Sequence, residues 1–192
     1  EQTGRLSHLA EVLLDMTGIQ TVERSETISL AELTEEVFCD LASIADQKQI
    51  ELIQNEGDCT VTGSYLLLYR TVYNLVENAI KYNHPSGKVT VSIHPGKTVL
   101  DTASSPHSTD CAFVEISDTG IGISPEYQEK IFAPFFRVDK SRSRAMGGAG
   151  LGLALVAEIA RQHGGQVKVL ASNEKGSTIA LMLPMNSPSI RI

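Results

Sequence analysis

Gly147-Gly148-Ala149-Gly150-Leu151-Gly152-Leu153 runs four glycines directly into the apolar helical pattern Leu151, Leu153, Ala154, Leu155 and Ile159. No other stretch limits the fold so much. A backbone without Cβ atoms can approach a phosphate closely, and the helix that follows offers unpaired N–H groups and a positive dipole end. The segment therefore reads as a seat for a polyphosphate. A flexible linker or a plain helix cap has the same local spelling, so the segment alone leaves both readings open.

The rest of the chain narrows them. At 192 residues with 42% hydrophobic content, it is long enough to bury one sizeable core. A net charge of −7 argues against a general nucleic-acid surface, which needs a basic stripe. Cys39, Cys59 and Cys111 are odd in number and widely spaced, which indicates neither a disulfide framework nor a zinc site. No apolar run reaches the length of a membrane span.

Leu6, Leu9, Val12 and Leu13 recur at helical spacing up to Gly18, and residues 1–24 are expected to be the end of a helical hairpin that buries its stripe against a partner helix. A packed N-terminal helix of the same domain fits the pattern nearly as well. Further on, helical periodicity runs from Ala31 to about Lys48, from Tyr65 to Tyr82 and from Gly150 to His163. Strands are expected at 50–53, 59–62, 89–93, 112–116, 166–170 and 177–183, the last two closing a hairpin around Asn173-Glu174-Lys175-Gly176. The polar stretch containing Pro95-Gly96 and Ser104-Ser105-Pro106 reads as a hairpin loop, Pro125 opens a short helix to Ile131, and 132–149 is irregular. Helices and strands mix without regular βαβ alternation, which favours a two-layer α/β sandwich with helices on one face of the sheet.

Three further motifs carry chemistry. Asp118-Thr119-Gly120-Ile121-Gly122 puts a carboxylate at a strand end beside a tight glycine turn, where it can accept from an exocyclic amine. A turn aspartate is the commoner fate of that tripeptide. On the helix 65–82, Asn74, Asn78 and either Lys81 or Tyr82 share one stripe, with amide oxygens able to hold Mg²⁺ and a lysine to balance phosphate charge. A solvated polar face is the plain alternative. Phe132-Ala133-Pro134-Phe135-Phe136, then Arg137, Lys140, Arg142 and Arg144, read as an aromatic anchor and a basic lid ahead of the glycine loop, with a core aromatic cluster and a solvated basic loop as the plain alternative.

Taken in order, Asn74–Tyr82, Asp118–Gly122, Phe132–Phe136 and Gly148–Leu153 resemble the N, G1, F and G2 boxes of bacterial sensor histidine kinases. Four boxes in sequence are far more specific than any one. The resemblance covers roughly 27–184 and implies the Bergerat or GHKL ATP-binding sandwich on a mixed sheet, with 185–192 a tail. It implies ATP and Mg²⁺ as cofactors, with Asp118 on the adenine amine and Gly120 and Gly122 shaping that pocket. Asn74 and Asn78 would hold Mg²⁺, and Lys81 and Tyr82 would contact phosphate or sugar. Gly148, Gly150, Leu151 and Gly152 would form the lid end and helix start around the phosphates, with Arg137 on the γ-phosphate. As partners it implies the kinase's own dimerisation and phosphoacceptor helices and a response regulator. The expected setting is a cytoplasmic domain of a membrane-bound homodimeric sensor.

One departure matters. The phosphoacceptor motif places an acidic, an apolar and a basic residue after the histidine, whereas His8 precedes Leu9-Ala10-Glu11, and His84, His94, His107 and His163 fit no better. The expected chemistry is transfer of the γ-phosphoryl group to a histidine on a separate helical domain. A GHKL-type ATPase is the rival, but such enzymes carry a glutamate base where this chain has Asn74, and an amide cannot take that proton. A non-catalytic nucleotide sensor is the third reading.

Overall fold

A computed structural model describes residues 22–100, 108–138 and 150–185. The expected helix within 1–24 lies outside the described residues except for its last positions, as do His8, His107, Gly148 and the basic Lys140, Arg142 and Arg144.

In chain order the elements are β1 (Glu26–Ser29), α1 (Leu30–Gln47), β2 (Glu51–Gln54), β3 (Thr60–Gly63), α2 (Tyr65–Lys81), β4 (Lys88–Val99) and β5 (Ser108–Asp118). Two 3₁₀ turns (Pro125–Tyr127 and Lys130–Phe132), α3 (Gly152–Gln162), β6 (Gln166–Asn173) and β7 (Gly176–Pro184) complete them. The main sheet runs β2-β4-β5-β7-β6, with β2 parallel to β4 and every other pair antiparallel. It is the mixed sheet with helices that the resemblance implies.

The helices start and end for local reasons. Ser29 caps α1 by accepting from the Glu32 amide at 3.2 Å, and Asp58 takes the Ala31 amide at 3.0 Å. Leu30, Leu33, Val37, Leu41 and Ala45 then line the buried side of α1 at three- and four-residue spacing. Leu68, Val72, Leu75, Val76, Ala79 and Ile80 do the same for α2. Against them the sheet presents Val89, Val91, Ile93, Val114, Ile116, Leu181 and Leu183, the alternate residues of three strands. Truncating a fully buried member such as Leu68 to alanine would cost roughly 2–5 kcal/mol.

Two readings of the sequence are corrected. Pro95 and Gly96 are not loop residues, because β4 and β5 pair from Val89↔Asp118 out to Val99↔Ser108. Proline is tolerated because β2 pairs with β4 only as far as Val91, beyond which that edge of β4 has no paired strand among the described residues. Glycine at 96 makes room for Phe113, whose ring would lie 2.7 Å from a Cβ there. The long arm covers a second small cluster of Leu100, Cys111, Ala180 and Met182 on the sheet face away from the helices, and the Gln166 side chain donates to the Val99 carbonyl at 3.2 Å. The helix expected from Pro125 is two separate 3₁₀ turns. In addition, the short β1 pairs antiparallel with β3, where the sequence reading placed no strand.

Candidate functional site

The end of β5, the C-terminal half of α2, the segment after the 3₁₀ turns and the start of α3 converge. At one end, Asp118 closes β5 with its Oδ1 accepting the Gly120 amide at 2.7 Å, and the Ser177 amide donates to it as well. Burial raises the carboxyl above its ordinary 3.8, while those two amides and the charge of His84 pull it back. An acceptor half-withdrawn from water beside a loop is what an amine-bearing ring requires.

The loop after Asp118 needs its glycines for backbone clearance. A Cβ on Gly120 would lie 2.3 Å from the Tyr82 carbonyl, and one on Gly122, at φ +70°, would lie 1.9 Å from the Asn173 carbonyl. The Ile121 amide donates to the Tyr82 carbonyl at 3.2 Å, tying the loop to the end of α2.

At the other end, the Nδ2 of Asn74 donates back to the Arg70 carbonyl at 2.7 Å, and that of Asn78 to the Asn74 carbonyl at 2.8 Å. One N–H of each amide is engaged within the helix, which fixes the side chain and leaves its Oδ1 to act as an acceptor. The Asn74 oxygen faces the start of α3, where a Cβ on Gly152 would come within 2.7 Å of it. Those oxygens suit a hard cation that completes its shell from phosphate and water. Among the described residues no group of three or more His, Cys, Asp or Glu gathers to make a metal cage.

Two cations face the same end. Burial lowers the Lys81 ammonium below its ordinary value, Glu77 opposes that, and the charges of Arg137 and Lys48 add to it. Its Nζ also stands 5.6 Å over the Tyr82 ring. The Nη2 of Arg137 is buried and has no hydrogen-bond partner among the described residues. A buried guanidinium donor left open is costly unless an anion completes it. Leu151 is itself core, only 2% exposed, and stands before α3 as an N-cap with no side-chain capping bond. What it and Gly152 offer a ligand is backbone.

The aromatic segment and the glycine run meet. The Phe135 amide donates to the Gly150 carbonyl at 2.9 Å, and both residues have positive φ, 63° and 72°. Sequence reasoning missed several supports. Gly176, read only as a turn residue, would place a Cβ 1.8 Å from the Asp118 carbonyl, and Ser177 follows it. Lys48 donates its Nζ to the Ile80 and Lys81 carbonyls at 3.2 and 2.7 Å, closing the negative end of α2. Asn83 and Thr119 bond each other at 3.0 Å and both reach the backbone of Lys88.

Residues 63–187 match the family model described as histidine kinase-, DNA gyrase B- and HSP90-like ATPase. The sensor histidine kinase RppB of a Synechocystis species is 33% identical over 99% of this chain and 40% of its own length. A mycobacterial sensor histidine kinase structure, MprB, superposes with a TM-score of 0.66 at 28% identity, covering 83% of this chain and 97% of that one. The histidine kinase ThkA, crystallised with the response regulator protein TrrA, gives a TM-score of 0.67 at 24% identity over 98% of this chain and 50% of that one. The chain spans less than half the length of the curated relatives it matches. Among the described residues no helix is long and apolar enough to cross a membrane.

Proposed function

The chain belongs to the histidine kinase-, DNA gyrase B- and HSP90-like ATPase family as a sensor histidine kinase catalytic domain, and from that premise we propose that it binds Mg-ATP and transfers the γ-phosphoryl group to a histidine on a separate helical domain. The observation that supports the reading is the buried Arg137 Nη2, without a partner among the described residues, on the side of Lys81 and of the start of α3, which no side chain caps. In this assignment Asp118 accepts the adenine amine, and Gly120 and Gly122 let the ring lie against backbone. Asn74 and Asn78 hold Mg²⁺ through their oxygens, and Mg²⁺ when bound supplies neutralising charge to the phosphates. Lys81 and Tyr82 contact phosphate or sugar, Gly150, Leu151 and Gly152 offer backbone to the phosphates, Gly148 belongs to the lid end beside them, and Arg137 takes the γ-phosphate. Positioning and charge neutralisation dominate phosphoryl transfer, which leaves little covalent work to these residues.

We extend the reading to partners from the relatives. ThkA with TrrA suggests a response regulator as the next acceptor, and the dimerisation helices of a membrane-bound homodimeric parent would carry the histidine, with 1–24 their last part, 27–184 the catalytic domain and 185–192 a tail. The test is incubation with radiolabelled ATP, Mg²⁺ and a helical domain bearing the acceptor motif. Acid-labile label on the supplied histidine, with none on the chain itself, is expected. Brisk hydrolysis without transfer would favour the ATPase reading, and self-labelling abolished by His8→Ala would make His8 the acceptor.

A further inference from the structure

The last turn of α3 ends in His163, whose ring is used on both sides. Nδ1 lies 2.8 Å from the Ile159 carbonyl, which only accepts, so Nδ1 carries a proton. Nε2 accepts the Ser64 amide at 3.1 Å and is therefore bare. Together the partners require a neutral imidazole in one tautomer.

Ser64 is the N-cap of α2, yet its side chain makes no capping bond. The helix is capped from outside instead, Ser64 by His163 and the Tyr65 amide by Glu26 Oε2 at 2.6 Å. The ring also fills the space over Gly63, where a Cβ would lie 2.7 Å from Cδ2. Thus α2 and α3 run antiparallel, packed through Leu68, Val72, Leu155 and Ile159 of the shared core, with a polar contact at each end. Ser64 meets His163 at one end, and Asn74 meets Gly152 at the other, roughly 15 Å away at ~1.5 Å per residue.

We propose that His163 is a positioning residue for the phosphate end of the site: its neutral ring pins the far ends of α2 and α3, setting the register in which Gly152 meets Asn74, and a proton on Nε2 releases the pin. Protonation would turn Nε2 into a donor facing the Ser64 donor, inside a half-buried contact. Burial holds the ring below its ordinary 6.5, the Ile159 bond opposes that, and the charge of Arg24 adds to it. Arg24 Nη2 donates to Gln162 Oε1 at 3.4 Å, next to the ring in sequence. Of the other charged groups around it, Glu26 is engaged by the Tyr65 amide and Glu158 is paired with Arg161 at 2.7 Å. What that register does for a nucleotide rests on the proposed function, but the register itself does not.

The test is NMR of the ligand-free chain from about pH 8 to about pH 5, where an imidazole titrates. The His163 ring should titrate below 6.5, and the amides of Ser64, Asn74 and Gly152 should move with the same midpoint. His163→Gln can accept from Ser64 and donate to Ile159 without titrating. In it that midpoint should vanish from all three amides while the neutral-pH melting temperature is kept. His163→Leu can do neither and should melt lower than the unaltered chain above that midpoint, with the difference shrinking as pH falls through it. Because the folded-state pKa is the lower one, the ring's contribution is whole above the unfolded value of 6.5 and is lost as pH falls through the folded value. Within that window the unfolding equilibrium of the unaltered chain rises by up to about tenfold per pH unit. Persistence of the midpoint at Asn74 and Gly152 in His163→Gln, or movement of Ser64 without them, would overturn the proposal. Failure of ATP to bind at any pH would remove the nucleotide reading, and the amide shifts would still decide the pin.

Discussion

Replacing Asp118 by asparagine changes one atom's chemistry and keeps the shape. The carboxylate gives Oδ1 to the Gly120 amide at 2.7 Å, also receives the Ser177 amide, and retains acceptor capacity for a ligand amine. Asparagine has a single accepting oxygen, and once that oxygen holds Gly120 its Nδ2 meets the amine donor to donor. The loss is one hydrogen bond to a charged acceptor, about 1.5–3 kcal/mol, or roughly ten- to a hundredfold in the Kd for ATP. Calorimetric titration with ATP and with GTP measures it, with melting curves as the check on folding. GTP presents a carbonyl where ATP presents the amine, so the substitution should narrow the preference for ATP as well as weaken it. A pH signature accompanies this. Since burial raises the Asp118 carboxyl above 3.8, binding that needs the carboxylate holds above that raised value and fades as pH falls through it. Asp118→Asn should lack this acid limb. An ATP affinity within about twofold of the unaltered chain, or equal losses for both nucleotides, would refute the assignment.

Gly152→Ala should separate stability from binding: alanine is worth roughly 0.5–1 kcal/mol over glycine in a helix, but its Cβ would sit 2.7 Å from Asn74 Oδ1, so melting should hold or rise while Mg-ATP affinity falls in calorimetry. Gly122→Ala combines a φ of +70° with a 1.9 Å approach to the Asn173 carbonyl, and thermal melts should show a loss with or without nucleotide. Lys48→Met removes two bonds and a charge from the end of α2 and should cost about 1–3 kcal/mol, read as a melting point lower by roughly 2–4 °C for each kcal/mol.

How far the sequence could be read follows from the range of each interaction. The asparagine stripe was legible because helical periodicity alone puts Asn74 and Asn78 one turn apart on α2. Asp118 was legible because a strand pattern ends on it. Pro95-Gly96 misled, because the turn signal those residues carry is overridden by pairing with β5 and by the Phe113 ring, neither of which is local. Four residues of β1 carry no readable alternation, and their strand exists only through β3, more than thirty residues on. Lys48, Ser177 and His163 escaped for the same reason, since each acts on an element distant in sequence. The glycines show this limit most sharply. A phosphate seat and a backbone crossing are both spelled with glycine, and Gly120, Gly122 and Gly176 each stand where another chain segment's carbonyl would occupy the Cβ position. Gly152 differs, because what its missing Cβ spares is a side-chain oxygen, that of Asn74. Alanine at Gly122 therefore reports on how the loop is built, and alanine at Gly152 reports on what the site holds.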